Sequence, residues 1–203
     1  MSFVSVEFAV LLVVVLTLLF LVKDPLPRKL VLLAASCVFY AWWDWRFLGL
    51  LAFVTLLDYY ISQMLVHTAD ARRRKLLLVI SVIANLGFLG FFKYFNFFID
   101  TLNAALSPLG WNLGTLNIIL PIGISFYTFE TLSYVIDVYR GVAKPAHSLL
   151  DYAIFISFFP RLVAGPIMRA TQFLPQLERG LVLNLANLVE GAHFLNQFPQ
   201  RLE

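Results

Sequence analysis

Three observations predict an all-α, polytopic integral membrane bundle with broken or re-entrant helices. Hydrophobic residues make up 61% of the 203-residue chain and charged residues only 13%, whereas soluble domains sit near half and about a quarter. The mean hydropathy is +0.83, and the apolar runs reach membrane-spanning length between short polar links, which leaves room for roughly five to seven spans at ~20 residues each. Between Leu120 and Leu177, Pro, Gly, Arg and Asp recur inside apolar sequence. Lipid offers no partner to a broken backbone or a charge, so such residues must face protein or a water-filled cavity.

Phe3 to Val22 reads as the first span, with Glu7 near its start. It lacks the basic segment and small-residue cleavage site of a signal peptide, so it is a retained helix. Lys23, Asp24, Pro25, Pro27, Arg28 and Lys29 form a turn. Leu30 to Trp43 is the second span and ends in AWWDWRF, a Trp-rich turn suited to the headgroup level. Phe47 to Val66 is the third, and its Asp58, Tyr59 and Tyr60 should form a polar face looking into the bundle. The second and third spans thus make a helical hairpin closed at the tryptophans.

Leu76 to Phe92 is the fourth span, with Asn85, Gly87 and Gly90 suited to helix–helix contact. Lys93, Asn96 and Asp100 then recur among phenylalanines as an interfacial amphipathic turn, and residues 104–115 form a loop. Leu116 to Val138 is a fifth span whose entry is broken at Pro121 and Gly123 and whose side chains include Ser125, Tyr127, Thr128, Glu130, Thr131, Ser133, Tyr134 and Asp137. After the polar link 140–150, the apolar stretch 152–164 is too short to span. With Pro160, Arg161 and the following Gly165-Pro166, it reads as re-entrant or tilted.

Charge sets the orientation. Lys23, Arg28 and Lys29 lie in one link and Arg72, Arg73, Arg74 and Lys75 in another on the same side, while Arg46 alone occupies the turn between them. The basic side is the cytoplasm, so the N-terminus lies outside. The run ARRRK abuts a span, which makes it a topogenic cluster rather than a nucleic-acid patch. Cys37, the single cysteine, sits in LLAASCVFY as a buried apolar filler. No Walker loop, dinucleotide fingerprint, HExxH or CxxC occurs. His67 and His147 sit in polar links, and no carboxylate pair stands at a spacing that suggests acid–base work.

The order of residues in LPIGISFYTFETLSYVIDVYRG and FFPRLVAGPIMRATQFLPQL, with FYAWWDWRFL at 39–48 and NLGFLGFFKYFNFF at 85–98, resembles membrane-bound O-acyltransferases of the alginate O-acetylase branch. The resemblance runs in order through residues 3–195. It implies the N-terminal part of a helical bundle with a central tunnel, in the bacterial inner (cytoplasmic) membrane, that transfers acetyl groups to hydroxyls of an exported polysaccharide such as alginate. It implies no bound cofactor and no metal, with an acyl donor (acetyl-CoA or an acylated carrier) as substrate. Membrane lipid, a polysaccharide acceptor and acetylation proteins of an export complex are the implied partners, and nucleic acid is not one. Donor and acceptor approaching from opposite faces need a polar path, and Ser125, Tyr127, Thr128, Asp137, Arg140, Gly165, Pro166 and Arg169 are its candidate lining. Arg140, Arg161 and Arg169 are candidates to receive a phosphate or carboxylate.

The family's catalytic histidine lies downstream of the region this chain shares, so no catalytic residue is assigned, and His193 does not match its motif. Residues 1–195 read as the N-terminal part of the acyltransferase domain. Residues 196–203 read as a divergent tail, as after truncation or frameshift, and the chain alone is expected to be inactive. Peptidoglycan or teichoic-acid O-acylation is the alternative within the family. A non-catalytic transport or scaffold protein is the alternative outside it, although the chain shows no repeat symmetry of the transporter kind.

Overall fold

The computed structural model describes residues 6–106, 119–162 and 168–178. Within them lie eight helices and no strand: α1 (Val6–Leu21), α2 (Pro25–Asp44), α3 (Arg46–His67), α4 (Ala71–Leu106), α5 (Ile124–Tyr139), α6 (Leu149–Ser157), α7 (Phe159–Leu162) and α8 (Ala170–Glu178). The all-helical class follows the expectation. Among the described residues α3 and α4 are long and apolar enough to cross a membrane, and α1 is a shorter apolar helix. Gly165, Pro166, the segment holding His193 and residues 107–115 of the loop expected at 104–115 lie outside the described residues, while 104–106 belong to α4 rather than to a loop.

Pro25 and Pro27 sit in the first turn of α2, where a missing N–H costs nothing. Trp45 keeps right-handed helical dihedrals between α2 and α3, so the tryptophan turn is a one-residue joint. Lys29 near the start of α2 reaches Asp151 of α6 at 2.5 Å. Gln63 near the end of α3 donates to the Ala146 carbonyl at 2.7 Å. Both outer ends of α2 and α3 therefore meet the 146–151 segment, which makes the pair a hairpin closed at Trp45. Arg74 of α4 donates to the Tyr139 carbonyl at the end of α5 at 2.7 Å and lies over the Tyr139 ring. The links at 23–29, 67–75 and 139–150 thus gather at one end of the molecule. At the other, Tyr40 donates to the Ile122 carbonyl at 3.2 Å.

Five sequence readings need correction. The interfacial turn expected after Phe92 is instead the continuation of α4. Its 36 residues measure ~54 Å at 1.5 Å per residue, well beyond a ~30 Å hydrocarbon core. No Pro interrupts the stretch, so polar residues at helical spacing extend the helix rather than end it. Gly87 and Gly90 have no described neighbour within 4 Å of where a Cβ would stand, so they do not mediate close approach among the described elements. Tyr60 points outward while Asp58 is fully buried, because residues two apart cannot share a helical face. Cys37 is half-buried rather than buried. The fifth span also begins later than expected, since Gly123 takes a left-handed φ of 73° and α5 starts at Ile124.

Candidate functional site

The polar face of α5 organises the interior. Tyr127, Thr128, Glu130, Thr131 and Tyr134 are all buried, at spacings that fill a broad inward stripe. Two polar centres grow from it.

The first joins α3, α4 and α5. Asp58 Oδ1 accepts from Ser81 Oγ at 2.6 Å and Oδ2 from Asn85 Nδ2 at 2.8 Å. Asn85 Oδ1 accepts in turn from Thr131 Oγ1 at 3.0 Å. One helical turn along α3, Tyr134 donates to Ser62 Oγ at 2.9 Å and accepts from the Ala146 N–H at 2.9 Å. Ser81 and Asn85 are four residues apart, as are Asp58 and Ser62, so each pair shares one side of its helix.

The second joins α5 to the short helices. Arg161 Nη2 stands 2.6 Å from Glu130 Oε1, with both side chains almost wholly buried. The same nitrogen donates to the Phe155 carbonyl at 2.6 Å, and the guanidinium lies over the rings of Phe155 and Phe173 at 5.2 and 4.8 Å. Glu130 Oε2 and Arg161 Nη1 are sealed from solvent without a hydrogen-bond partner. Charge and ring contacts therefore dominate this pair.

These contacts fix the short segment between its neighbours. Ser148 caps α6, accepting from the Asp151 N–H at 3.1 Å, and Asp151 is held by Lys29. Phe158 leaves helical geometry, and the Phe159 N–H donates to Ser36 Oγ of α2 at 3.3 Å. Phe173 of α8 packs on both Phe155 and Phe158, with ring centroids 5.6 and 5.4 Å apart. The segment thus enters from the end that carries the basic links, meets Ser36 part-way along α2, and is flanked by α8. Over its described part, the short stretch expected at residues 152–164 to be re-entrant or tilted is thus two short helices, α6 and α7, that part at Phe158.

Of the candidate lining residues, Tyr127 and Thr128 are buried and Ser125 and Asp137 half-buried on α5. Arg140 and Arg169 are exposed. Arg161 is withdrawn as a free anion receptor, because Glu130 and the Phe155 carbonyl already occupy its Nη2. Sequence reasoning noticed Asp58, Asn85, Thr131, Glu130 and Arg161 singly but did not pair them. Helical spacing could have grouped Ser81 with Asn85. Nothing in the sequence announces that α7 meets α5. At the tryptophan turn, hydrogen bonds from Arg46 hold the Asp44 carboxyl below the usual carboxylate range.

Together these features describe an all-helical membrane protein whose interior is crossed by polar and charged groups on three or more helices. The chain is similar to the probable alginate O-acetylase AlgI of Pseudomonas aeruginosa, at 44% identity over 154 residues, 73% of this chain and 29% of that protein. It matches the protein of the same name from Azotobacter vinelandii at 42% over 154 residues, 73% of this chain and 30% of the relative. A peptidoglycan O-acetyltransferase of Helicobacter pylori is 34% identical over 197 residues, 83% of this chain and 36% of that protein. The resemblance to the alginate O-acetylase branch of the membrane-bound O-acyltransferases therefore holds over 73% of the chain. The chain spans about a third or less of the length of these relatives. No family profile matches it, and no solved structure matches it.

Proposed function

We propose that this chain forms part of an O-acyltransferase that moves acetyl groups onto hydroxyls of an exported polysaccharide such as alginate. The observation that carries the reading is the identity of 42–44% over 73% of the chain to proteins named for alginate O-acetylation. In this reading the chain is a multi-pass protein of the bacterial inner membrane. The end that gathers the basic links faces the cytoplasm, as the positive-inside rule requires. The broken entry of α5 at Gly123 and the part-inserted α6–α7 segment supply non-lipid surfaces along which donor and acceptor approach each other. Ser125, Tyr127, Thr128 and Asp137 are the α5 residues proposed to line that path, and Arg140 and Arg169 to meet an anionic donor at its cytoplasmic mouth. Gly165 and Pro166 belong to the same proposal. The acyl donor is acetyl-CoA or an acylated carrier.

The test is acetyl-ester content. Cells carrying the gene that encodes this chain, and cells lacking it, are compared by mass spectrometry of exported polymer. Loss of acetyl esters from uronate polymer on deletion supports the reading. Unchanged polymer with loss of acetyl from peptidoglycan supports the second reading, which the 34% match to the Helicobacter pylori protein favours. Orientation is tested by a cysteine at Ala69 in a Cys37→Ala background. It should label only from the cytoplasmic side, and labelling from outside would reverse the assignment.

A further inference from the structure

The end that gathers the basic links also carries a groove of about 450 Å³ between residues 142–147 and the start of α8. Lys144, His147 and Thr171 supply its polar edge, and Pro145, Leu174 and Pro175 are among its apolar walls. Lys144 and His147 are exposed. The loop that bears them is fixed at several points. Gly141 takes a left-handed φ of 75°. The Asp137 carbonyl then accepts from the N–H groups of both Val142 and Ala143, at 2.9 and 3.1 Å. Further on, the Ala146 N–H donates to the buried Tyr134 hydroxyl, and the Ala146 carbonyl accepts from Gln63. Ala143 and Ala146 are the buried anchors, so Lys144 and His147 project outward on either side of Pro145.

This fixation separates the loop from a merely topogenic one. The positive-inside effect counts cations near span ends and asks nothing of their geometry. Ordering a surface loop costs conformational entropy, which a topogenic charge does not require. A held backbone that carries Lys144 and His147 along an apolar-walled groove, with Thr171 also in its lining, is instead suited to a phosphate, which accepts several charge-assisted hydrogen bonds while its organic substituent covers the walls. We propose that this groove binds a phosphate-bearing group, with Lys144 and His147 as its principal contacts and Thr171 as the third.

The same chemistry comes from two sources. One is a soluble donor such as coenzyme A with its several phosphate groups, which rests on the acyl-transfer reading above. The other is the phosphodiester of an anionic lipid at the headgroup level. The test is binding rather than turnover, so failure of acyl transfer and failure of this site are told apart. Nanodiscs also expose both faces, so it does not depend on orientation.

The purified protein in phosphatidylcholine nanodiscs is titrated with coenzyme A and with inorganic pyrophosphate. In parallel, retained phosphatidylglycerol is counted by native mass spectrometry. Binding of coenzyme A assigns the soluble source, and selective retention of phosphatidylglycerol assigns the lipid one. Whichever binds should weaken about tenfold or more in Lys144→Ala/His147→Ala, with charge-assisted contacts removed. It should weaken less than threefold in Arg72→Ala/Arg73→Ala, which removes two cations from the same end. Equal loss in the two double variants would reduce the effect to diffuse charge and overturn the site. So would the absence of binding by all three probes.

Discussion

The two polar centres on α5 solve the same problem differently. At Asp58 both carboxyl oxygens accept from neutral donors, Ser81 and Asn85, and Thr131 completes the chain of bonds. At Glu130 the partner is a guanidinium, and polar atoms remain sealed without a partner on both sides. The first centre is directional, so it fixes the rotation of α3, α4 and α5 about their axes. The second is held by charge and by the phenyl rings around Arg161, so it holds α7 to α5 without dictating fine geometry. A buried pair of this kind gives little net stability over an apolar substitute, yet removing one partner strands the other.

That contrast predicts the largest effect. Arg161→Ala leaves Glu130 buried and unpaired and should cost about 3–5 kcal/mol. The double change Glu130→Gln/Arg161→Gln should recover much of the loss, because neither charge is then stranded. Unfolding in detergent, followed by circular dichroism against denaturant, measures both. A double variant as damaged as Arg161→Ala would mean that the side chains are needed for bonding geometry and would erase the distinction between the centres. At the other centre Asp58→Ala leaves the Ser81 hydroxyl and Asn85 amide without their acceptor. It should cost about 1–3 kcal/mol per stranded group. Adding Ser81→Ala should then change little further, since the two are coupled. Additive losses would show that Asp58 and Ser81 act independently.

The helices were legible in the sequence because their signals are local. Apolar length, Pro at the start of α2, the Pro121–Gly123 break and the shortness of 152–164 are all properties of consecutive residues. The basic links could be gathered on one face because charge placement is also read along the chain. The pairings were not legible. Asp58 and Asn85 are 27 residues apart, and which side of α3 meets which side of α4 depends on packing that periodicity leaves free. Arg161 looked available for an anion because its acceptor, Glu130, lies on another helix. The extent of α4 was misjudged for a different reason. Polar residues among phenylalanines suit both an interfacial turn and a helix continuing past the bilayer, and only the absence of a breaker separates them.

Two changes at helix starts should have intermediate effects, because they alter how α5 and α6 are presented to the centres without removing a member. Gly123→Ala places a Cβ on a residue with φ of 73° and should destabilise by about 1–2 kcal/mol. Ser148→Ala removes the α6 cap and its bond to Asp151, for about 1 kcal/mol. Unfolding midpoints of the two variants check the order. A Gly123→Ala protein as stable as the parent would show that the entry of α5 does not need the left-handed turn.

The smallest effect is expected at the tryptophan turn, where an ion pair sits outside both centres. Arg46 donates to Asp44 Oδ1 from its backbone N–H and Nε, each at 3.0 Å, and to Oδ2 from Nη2 at 2.9 Å. These bonds hold the Asp44 carboxyl below its ordinary range. A carboxyl lowered on folding contributes its stability fully above the unfolded value, about 4, and loses it as pH falls through the lower folded value. Arg46 is well exposed, so water and salt screen the pair and its contribution stays small. Asp44→Asn should therefore unfold slightly earlier than the parent at pH 5–7, and the two should converge as the pH is lowered through and below the ordinary carboxylate range. Thermal scans of both proteins across that range measure the gap. High salt should narrow it as acid does, whereas the loss in Arg161→Ala should persist in salt, because its charges are buried. A gap at Asp44 that survives both acid and salt would mean that the side chain acts through the backbone bond at the α2–α3 joint rather than through its charge.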